Sequence, residues 1–391
     1  MILKTLKKFL AKAVKKLFIR YVWAVDAVNG VDTLKKDTIT FIPEVQQYVL
    51  ISGWLFDIKD ENGVEDLFIE IEGKCHKALY GLIRTDVSFE YKEQRLRNSG
   101  FRCLIDKEAL EAGKDYTINL RLTLRGNKIK TIRTSIGFAI DGEKTRDLVS
   151  TSNEALEYSQ YRGEVMSLQY IAGTGVEIGA LHAPLSVDKK KAKVLYVDRM
   201  SQQDLYRQYP EFKKYDIVAP DIIDNGDELR TIADLSYDFC ISNHVLEHLE
   251  DPLKGLRNWL RILKPGGILY LSVPLPYNVV DKHRQPTDIS HIIDDHGLMT
   301  RDHQQYGQRR RDHFYDFVRS TNFSQSANTA FLEEKTEELL AMDYSIHFHV
   351  FSEETLRKMI DFIALDVALQ VVEFVRNDPE EFIVIIKKLG Y

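Results

Sequence analysis

The stretch YDFCISNHVLEHLEDP (residues 237–252), followed by a helical segment and then LKPGGILYLSVP (263–274), decides the fold of this chain. It has the pattern of a strand, a loop, an amphipathic helix, a Pro-Gly-Gly turn and a second strand. Two apolar strands joined by a helical crossover lie parallel in a sheet that is buried on both faces. Ser242, Asn243 and His244 are therefore expected at the carboxyl end of a strand, where open α/β sheets bind ligands.

Length and composition indicate a globular protein of two domains. The chain has 391 residues, of which 44% are hydrophobic and 29% charged. The formal net charge of −6 and the lack of a basic stripe with interleaved aromatic residues speak against nucleic-acid binding. Cys75, Cys103 and Cys240 lack metal-ligand spacing, and reduced thiols are favoured over a disulfide between the first two. A reducing, cytoplasmic location is expected.

The first 25 residues have a basic amphipathic pattern. Residues 1–20 contain six lysines, one arginine and no acid, and their apolar residues recur at helical spacing. Lysines interrupt every apolar run, which argues against a signal peptide and a membrane-spanning helix. We expect a helix over residues 1–25 that places residues 1–22 on an anionic membrane surface. The alternative is a helix packed on the next domain.

Residues 38–145 show the period of two that is typical of β-strands. Their short strands and turns predict an antiparallel β-sandwich, with strands at 49–56, 67–71, 116–124 and 129–136. The segments ISGWLFD (51–57), IRTDV (83–87) and NSGF (98–101) resemble Ig-like modules found beside glycan-processing enzymes. Trp54 either contacts sugar or belongs to the core of a spacer or dimerisation module.

Residues 147–391 have the strand order of a larger parallel sheet. After an initial helix, seven strands are predicted, at 175–179, 193–198, 216–221, 237–243, 267–274, 368–375 and 381–387. This order resembles the α/β, Rossmann-like sheet of class I S-adenosylmethionine-dependent methyltransferases. The string VEIGALHAPL (176–185) resembles a subgroup associated with cell-surface glycan assembly.

The resemblance assigns the S-adenosylmethionine site to the strand ends. Glu177 is implied to help hold the methionine ammonium group, and the backbone at Gly179 and Ala180 passes close to the cofactor, where a side chain at Gly179 would obstruct it. Asp198 ends the second strand, where an acid can accept both ribose hydroxyls.

The later strands supply the remaining cofactor residues in the resemblance. Asp221 is implied to contact the adenine amino group, with Ile222 lining the ring. Asn243 and His244 follow the fourth strand, beside the methionine end and the entering substrate.

One position departs from the family pattern. The usual second glycine of the loop is replaced by Leu181, and Pro184 with three lysines breaks the helical pattern before the second strand. We therefore expect the usual helix after the first strand to be short or absent, which weakens its contribution to the site.

A histidine-rich insert, residues 275–351, is expected to cover the substrate. Transfer of a methyl group to a hydroxyl requires removal of a proton, and histidine suits this role. His291 is the first candidate for the base, followed by His244 and His313, and Asp281 belongs to the same polar pattern. The alternatives are a metal site, if 346–350 is a strand that places His347 and His349 on one face, and a purely structural lid.

The run Arg309-Arg310-Arg311 in this insert is open to two interpretations. It either provides positive charge for an anionic substrate or forms a solvated helix face.

These observations predict a methyltransferase that uses S-adenosylmethionine and O-methylates a sugar of a surface or lipid-linked glycan. No metal ligands are assigned. The alternatives are a methyltransferase of a small metabolite or protein, and a non-catalytic scaffold of the same fold.

Overall fold

The computed structural model describes residues 21–28, 31–32, 40–43, 48–60, 62–106, 110–111, 114–141, 151–278, 280–321 and 328–390. The chain divides into two compact units. The first extends to Val165 and includes residues 214–216, and the second comprises the remainder. Most of the predicted basic helix, residues 1–20, lies outside the described residues, and so does the predicted domain boundary near 147.

The first unit contains two five-stranded sheets, in the orders β2-β1-β4-β8-β7 and β3-β10-β9-β5-β6. All strand pairs are antiparallel except β3 with β10. The elements are β1 (Tyr21–Val28), β2 (Val31–Asp32), β3 (Thr40–Pro43), β4 (Tyr48–Asp57), β5 (Val64–Ile71), β6 (Lys74–Lys77), β7 (Leu79–Leu82), α1 (Thr85–Tyr91), a 3₁₀ turn (Gln94–Asn98), β8 (Gly100–Asp106), β9 (Asp115–Leu124) and β10 (Lys128–Asp141).

One apolar core lies between these two sheets. Ile51 and Phe101 of the first sheet and Ile69 and Leu120 of the second belong to the same buried cluster. The four strands predicted from sequence are present. Trp54 is 4% exposed and packs with Val22 and Phe56, so its ring belongs to a core and is not available to sugar. All three cysteines have free thiols, with Cys103 and Cys240 buried.

The end of the predicted amphipathic helix is wrong. Residues 21–25 belong to β1, which pairs antiparallel with β4. Val22 and Ala24 pack beside Trp54, whereas Val25 and Val28 enter the core between the sheets. Aromatic and β-branched residues suit a strand whose two faces are both covered. Any membrane-binding segment must therefore end before Tyr21.

The second unit contains a seven-stranded sheet in the order β13-β12-β11-β14-β15-β17-β16. Helix α2 precedes it and crosses the unit boundary. The elements are α2 (Thr151–Tyr170), β11 (Gly173–Ile178), β12 (Ala192–Asp198), α3 (Gln202–Gln208), a 3₁₀ turn (Pro210–Lys214), β13 (Ile222–Ile223), β14 (Tyr237–Asn243), a 3₁₀ turn (Leu246–His248), α4 (Pro252–Arg261), β15 (Leu263–Pro274), α5 (Ile289–Arg301), α6 (His303–Ser320), α7 (Thr329–Ala341), α8 (Glu353–Ile363), β16 (Leu369–Asn377) and β17 (Glu381–Lys388).

The first five strands of this sheet are parallel, and β17 pairs antiparallel with both β15 and β16. Apolar side chains cover both faces, as the sequence predicted. Phe239 and Ile241 point to the cluster that contains Met166, and Cys240 points to the cluster that contains Trp259. The seven-stranded Rossmann-like sheet is thus confirmed.

The position of the third strand is the main error in this unit. The strand predicted at 216–221 is instead the two-residue β13, Ile222–Ile223, which pairs with β12. Ile217 and Val218 are buried, but the N–H of Val218 donates to the carbonyl of Leu181 in a loop rather than to a strand. An apolar run predicts burial, and a strand additionally needs a partner along its backbone.

Side-chain caps fix the helices that flank the site. Asp251 accepts a hydrogen bond from the N–H of Lys254 at the start of α4, with Pro252 in the first turn. Helix α4 buries Leu253, Leu256 and Trp259 at helical spacing against the sheet. In the described part of the chain, no helix has the length and apolarity to span a membrane.

Candidate active site

A cleft of about 910 Å³ opens at the carboxyl ends of the parallel strands, within the second unit. The chain segments that follow β11, β12, β13 and β14 form one side of it, and residues of the histidine-rich insert form another. Its lining includes Ile178, Gly179, Leu181, Asp198, Arg199, Tyr209, Phe212, Ile223, Asp224, Asn225, Gly226, His244, Val245, His248, Glu250, Met299, Arg310, Asp343, Tyr344, Ser345 and Phe348.

The loop after β11 has the backbone of a glycine loop although it contains a single glycine. Gly179 has φ +63° and donates its N–H to the carbonyl of Val197 at 2.9 Å. Leu181, in the place of the second glycine, adopts φ +44°, a left-handed conformation that glycine normally supplies. Residues 179–191 contain no helix, as predicted. The leucine therefore preserves the path of the chain past the cleft.

Glu177 and Ala180 do not line the cleft. Glu177 is fully buried, and its Oε1 accepts a hydrogen bond from the N–H of Leu185 at 2.7 Å. It thus ties the loop after β11 back to the end of the strand.

Asp198 lies in the cleft as predicted. Its Oδ1 accepts the N–H of Arg199 at 2.7 Å. Burial raises the pKa of Asp198 to about 6, and the hydrogen bond from Arg199 opposes this shift only in part.

The cleft residues near β13 come slightly later in the chain than the residues predicted to contact adenine. Asp221 accepts the N–H of Tyr196 at 2.9 Å, and neither it nor Ile222 lines the cleft. Ile223 and Asp224 line it instead. The turn sequence Asp-Asn-Gly at 224–226 is the signal that could have identified this position.

Asp224 is held by its own turn. It accepts hydrogen bonds from the N–H of Asn225 and from the N–H and hydroxyl of Thr231. Burial alone would raise the pKa of Asp224, but these bonds outweigh it and lower the pKa, so the group is a carboxylate at neutral pH.

His244 lines the cleft beside the end of β14, at φ +54°. Its Nε2 lies 3.0 Å from Oε2 of Glu381, and its Nδ1 lies 3.7 Å from Oε1 of Glu247. Burial lowers the pKa of His244, but the hydrogen bond to Glu381 and the nearby carboxylates outweigh this effect and raise it to about 9. The ring is an imidazolium at neutral pH and is not a resting general base.

Asn243 sits behind His244 and does not line the cleft. Its Oδ1 accepts a hydrogen bond from Oγ of Ser272 at 2.5 Å, which links β14 to β15.

The other predicted catalytic residues also lie outside the cleft lining. His291 and His313 both donate to Oδ2 of the buried Asp295, at 3.1 and 2.8 Å. Arg309 donates to Nδ1 of His291 at 2.9 Å, which leaves that ring no free lone pair. Asp281 binds Arg284 at 3.0 Å. The catalytic roles of His291, His313 and Asp281 stay predictions, and the observed contacts are those of a supporting network.

His347 and His349 do not form the shared face that a strand would give them. Residues 346–350 have no regular secondary structure, and the two rings belong to different clusters. His347 lies with Glu247 and His248, whereas His349 lies with His291 and Asp295.

The arginine run is neutralised by carboxylates. Arg309 pairs with Asp295, Arg310 with Glu250 and Asp343, and Arg311 with Glu333 and Glu337. Of the three, Arg310 lines the cleft. The run therefore offers little unpaired charge to an anionic substrate.

Sequence reasoning missed the wall that Arg310 organises. Tyr306 donates its hydroxyl to Glu250, and Arg199 pairs with Asp343 at 3.2 Å. With Tyr209 and Tyr344 this wall combines paired charges and aromatic rings. Its members come from segments far apart in sequence, and nothing local marks them.

The comparisons with known proteins agree with this geometry. Residues 151–362 match the family described as "Methyltransferase domain", and the chain belongs to that family. No curated protein matches the chain.

Solved structures with a similar fold include three distant proteins. A SAM-dependent methyltransferase from Aquifex aeolicus has 11% identity and TM-score 0.32, over 59% of this chain and 90% of that one. The YcgJ protein from Bacillus subtilis has 12% identity and TM-score 0.32, over 60% and 100%. A SAM-dependent methyltransferase from Thermotoga maritima has 17% identity and TM-score 0.30, over 62% and 96%.

The chain therefore carries a methyltransferase domain, and S-adenosylmethionine is the cofactor expected for it from the sequence. The cleft residues fit the cofactor, because a glycine at positive φ lies beside a desolvated acid at the ends of adjacent strands. Gly179 would adjoin the methionine part and Asp198 would hold the ribose.

Proposed function

We propose that this enzyme transfers the methyl group to a hydroxyl of a sugar in a surface or lipid-linked glycan. The observation that supports this proposal best is the cleft wall formed by Glu250, Arg310 and Asp343 together with Tyr209 and Tyr344. Carboxylates and a guanidinium group hydrogen-bond hydroxyls, and flat aromatic rings cover the apolar face of a sugar ring.

The chain's own residues position the reactants. S-adenosylmethionine supplies an electrophilic methyl group when it is bound. Asp198 accepts the ribose hydroxyls, and the His244 imidazolium is suited to a carboxylate at the methionine end. Glu250 and Arg310 orient the acceptor hydroxyl from the insert side, and the Glu250 carboxylate accepts the proton that this hydroxyl loses when it takes the methyl group. Fixed orientation of two reactants supplies a large part of the rate enhancement in such transfers.

Membrane association through residues 1–20 is a separate part of the proposal. It rests on their one-signed basic charge and helical apolar spacing. Removal of residues 1–20 should release the protein from anionic vesicles without changing cofactor affinity. Vesicle binding that survives the truncation would contradict it.

The acceptor class can be tested with S-adenosylmethionine that carries a labelled methyl group. Lipid-linked oligosaccharides, nucleotide sugars, small hydroxylated metabolites and peptides are offered in parallel. We expect label in a sugar as an alkali-stable methyl ether. Label in peptides or non-sugar metabolites with none in sugars would support the alternative acceptors instead.

Two neighbouring arginines provide a matched pair of variants for this assay. Arg310→Met removes the organising cation of the cleft wall and should raise KM for the acceptor with little change in cofactor affinity. Arg311→Met removes a cation paired with Glu333 and Glu337 outside the cleft, and should leave both unchanged. Equal effects of the two variants would contradict the proposal that this wall binds the acceptor.

A further inference from the structure

Glu247, His248 and His347 bring three potential metal ligands together at the edge of the cleft. One ligand atom from each side chain lies within 4.8 Å of the others. Glu247 and His248 follow β14, and His347 comes from the segment before α8. His248 also lines the cleft.

The two imidazoles are oriented by hydrogen bonds through their Nδ1 atoms. His248 Nδ1 lies 2.9 Å from the carbonyl oxygen of Ile346, and His347 Nδ1 lies 2.6 Å from Oδ2 of Asp281. Because carbonyl and carboxylate oxygens only accept, both Nδ1 atoms carry the proton. In the neutral form of each ring the lone pair is then on Nε2. Metal-binding histidines are typically oriented in this way.

Asp281 is itself fixed. Its side chain is 1% exposed, and its Oδ1 accepts a hydrogen bond from the buried guanidinium of Arg284 at 3.0 Å. Arg284 thus fixes Asp281, and Asp281 in turn holds the ring of His347 in place.

The buried side chain of Glu247 gives separate evidence that this cluster binds a ligand. Its side chain is 1% exposed, and among the described residues neither Oε1 nor Oε2 has a hydrogen-bond partner. The imidazolium of His244, with Nδ1 at 3.7 Å from Oε1, is a charged neighbour but too distant to donate. A buried carboxylate without a donor is costly, and a cation between it and the two Nε2 atoms would satisfy it.

The carboxylate of the second histidine cluster is already paired: Oδ2 of Asp295 accepts from His291 and His313, although its Oδ1 has no hydrogen-bond partner among the described residues. His291, Asp295 and His349 are also close enough to share an ion. There, however, Nη1 of Arg309 lies 3.1 Å from Asp295 and 2.9 Å from Nδ1 of His291. A guanidinium already supplies the positive charge, so a metal ion would have to displace it.

We propose that Glu247, His248 and His347 bind one divalent transition-metal ion through a carboxylate oxygen and two Nε2 atoms. A donor set of two imidazoles and one carboxylate favours zinc, iron, cobalt or manganese over calcium and magnesium. Three protein ligands leave at least one coordination position open, and an oxygen ligand from the cleft can complete the set on the side of His248.

Cobalt(II) tests the site, because its visible absorption reports coordination without an activity assay. The full chain is stripped with a chelator, titrated with Co²⁺ and then with Zn²⁺ as competitor. We expect one equivalent of Co²⁺ to bind and Zn²⁺ to displace it. His347→Ala should abolish the absorption band, and Asp281→Asn should weaken binding by roughly 10- to 100-fold.

The control variants distinguish the two clusters. His291→Ala should bind Co²⁺ like the unchanged protein. Glu247→Gln keeps the shape of the side chain and should lose the metal while retaining the circular dichroism spectrum and cofactor binding, which separates loss of a ligand from loss of the fold. No Co²⁺ band in folded protein, or loss with His291→Ala but not with Glu247→Gln, would overturn the proposal.

Discussion

The two sides of the cleft are built differently. On the side formed by the segments after β12 and β13, Asp198 accepts a hydrogen bond from the backbone of the next residue, and Asp224 is held by a turn that ends seven positions later. On the histidine side, His244 pairs with Glu381, 137 positions away, and Arg310 pairs with Glu250, 60 positions away. The contacts of the first side join residues close in sequence at the strand ends. Those of the second side form only when the whole unit has folded.

The largest effect is expected on the stability of the fold, from loss of the buried ion pair that supports the histidine side. Arg284→Met leaves Asp281 buried without its cation and should lower the free energy of unfolding by about 3–5 kcal/mol, measured by urea denaturation. Arg284 also pairs with Asp316, at 2.9 Å. Arg319 pairs with the same Asp316 but is 63% exposed, so Arg319→Met should cost less than about 1 kcal/mol. Similar costs for both would mean that the buried network does not stabilise this side.

The next effect separates two acids that were predicted from the sequence to end neighbouring strands. Asp198→Ala should weaken S-adenosylmethionine binding by roughly 100-fold, because two hydrogen bonds to a charged group are lost. Asp221→Ala should change affinity less than about threefold, since Asp221 bonds Tyr196 outside the cleft. Calorimetric titration measures both. A larger loss with Asp221→Ala would restore the assignment made from sequence.

The pH dependence of cofactor binding follows from the pKa of Asp198, which burial raises to about 6. The carboxylate accepts two ribose hydroxyls, whereas the protonated acid must donate one bond. Affinity should therefore be constant above pH 7 and fall toward tenfold per pH unit below about pH 6. Asp198→Asn should bind weakly without this dependence. A dependence retained in that variant would assign the titration to another group.

The smallest effects distinguish the two left-handed residues of the loop after β11. A Cβ at Gly179 would lie 3.1 Å from Cγ2 of Val245, so Gly179→Ala should weaken cofactor binding several-fold. The left-handed conformation of the new alanine should also lower the free energy of unfolding by about 1–2 kcal/mol. Leu181→Gly relieves the strain at φ +44° and should leave affinity within about threefold. A large loss with Leu181→Gly would show that the leucine side chain itself contacts the cofactor.

This contrast explains what could be predicted from the sequence. Six of the seven strands of the large sheet, the terminal hairpin β16–β17 included, have local periodicity and were predicted apart from their ends, and Gly179 and Asp198 follow from strand ends. Ile217 and Val218 are apolar and buried, yet they lie in a loop, because periodicity reports burial and not backbone pairing. The same limit made residues 21–25 resemble the continuation of a helix.

The histidine side could not be predicted for a different reason. His291 and His248 are equally plausible bases or ligands as isolated residues. The role of each ring depends on which of its nitrogens is hydrogen-bonded to another group. These groups are Arg309 for His291 and the carbonyl of Ile346 for His248, and only tertiary folding places them beside the rings. Composition showed that histidines are concentrated in the insert but could not divide them into two clusters.

The position of β17 has a consequence for biosynthesis. This strand, Glu381–Lys388, lies between β15 and the edge strand β16 and buries Ile383 and Ile385. While the chain grows from its amino end, β15 keeps an open edge until residue 388 has left the ribosome. Nascent chains that stall earlier would expose a long apolar edge suited to aggregation, and they would depend on chaperones until the final hairpin closes it.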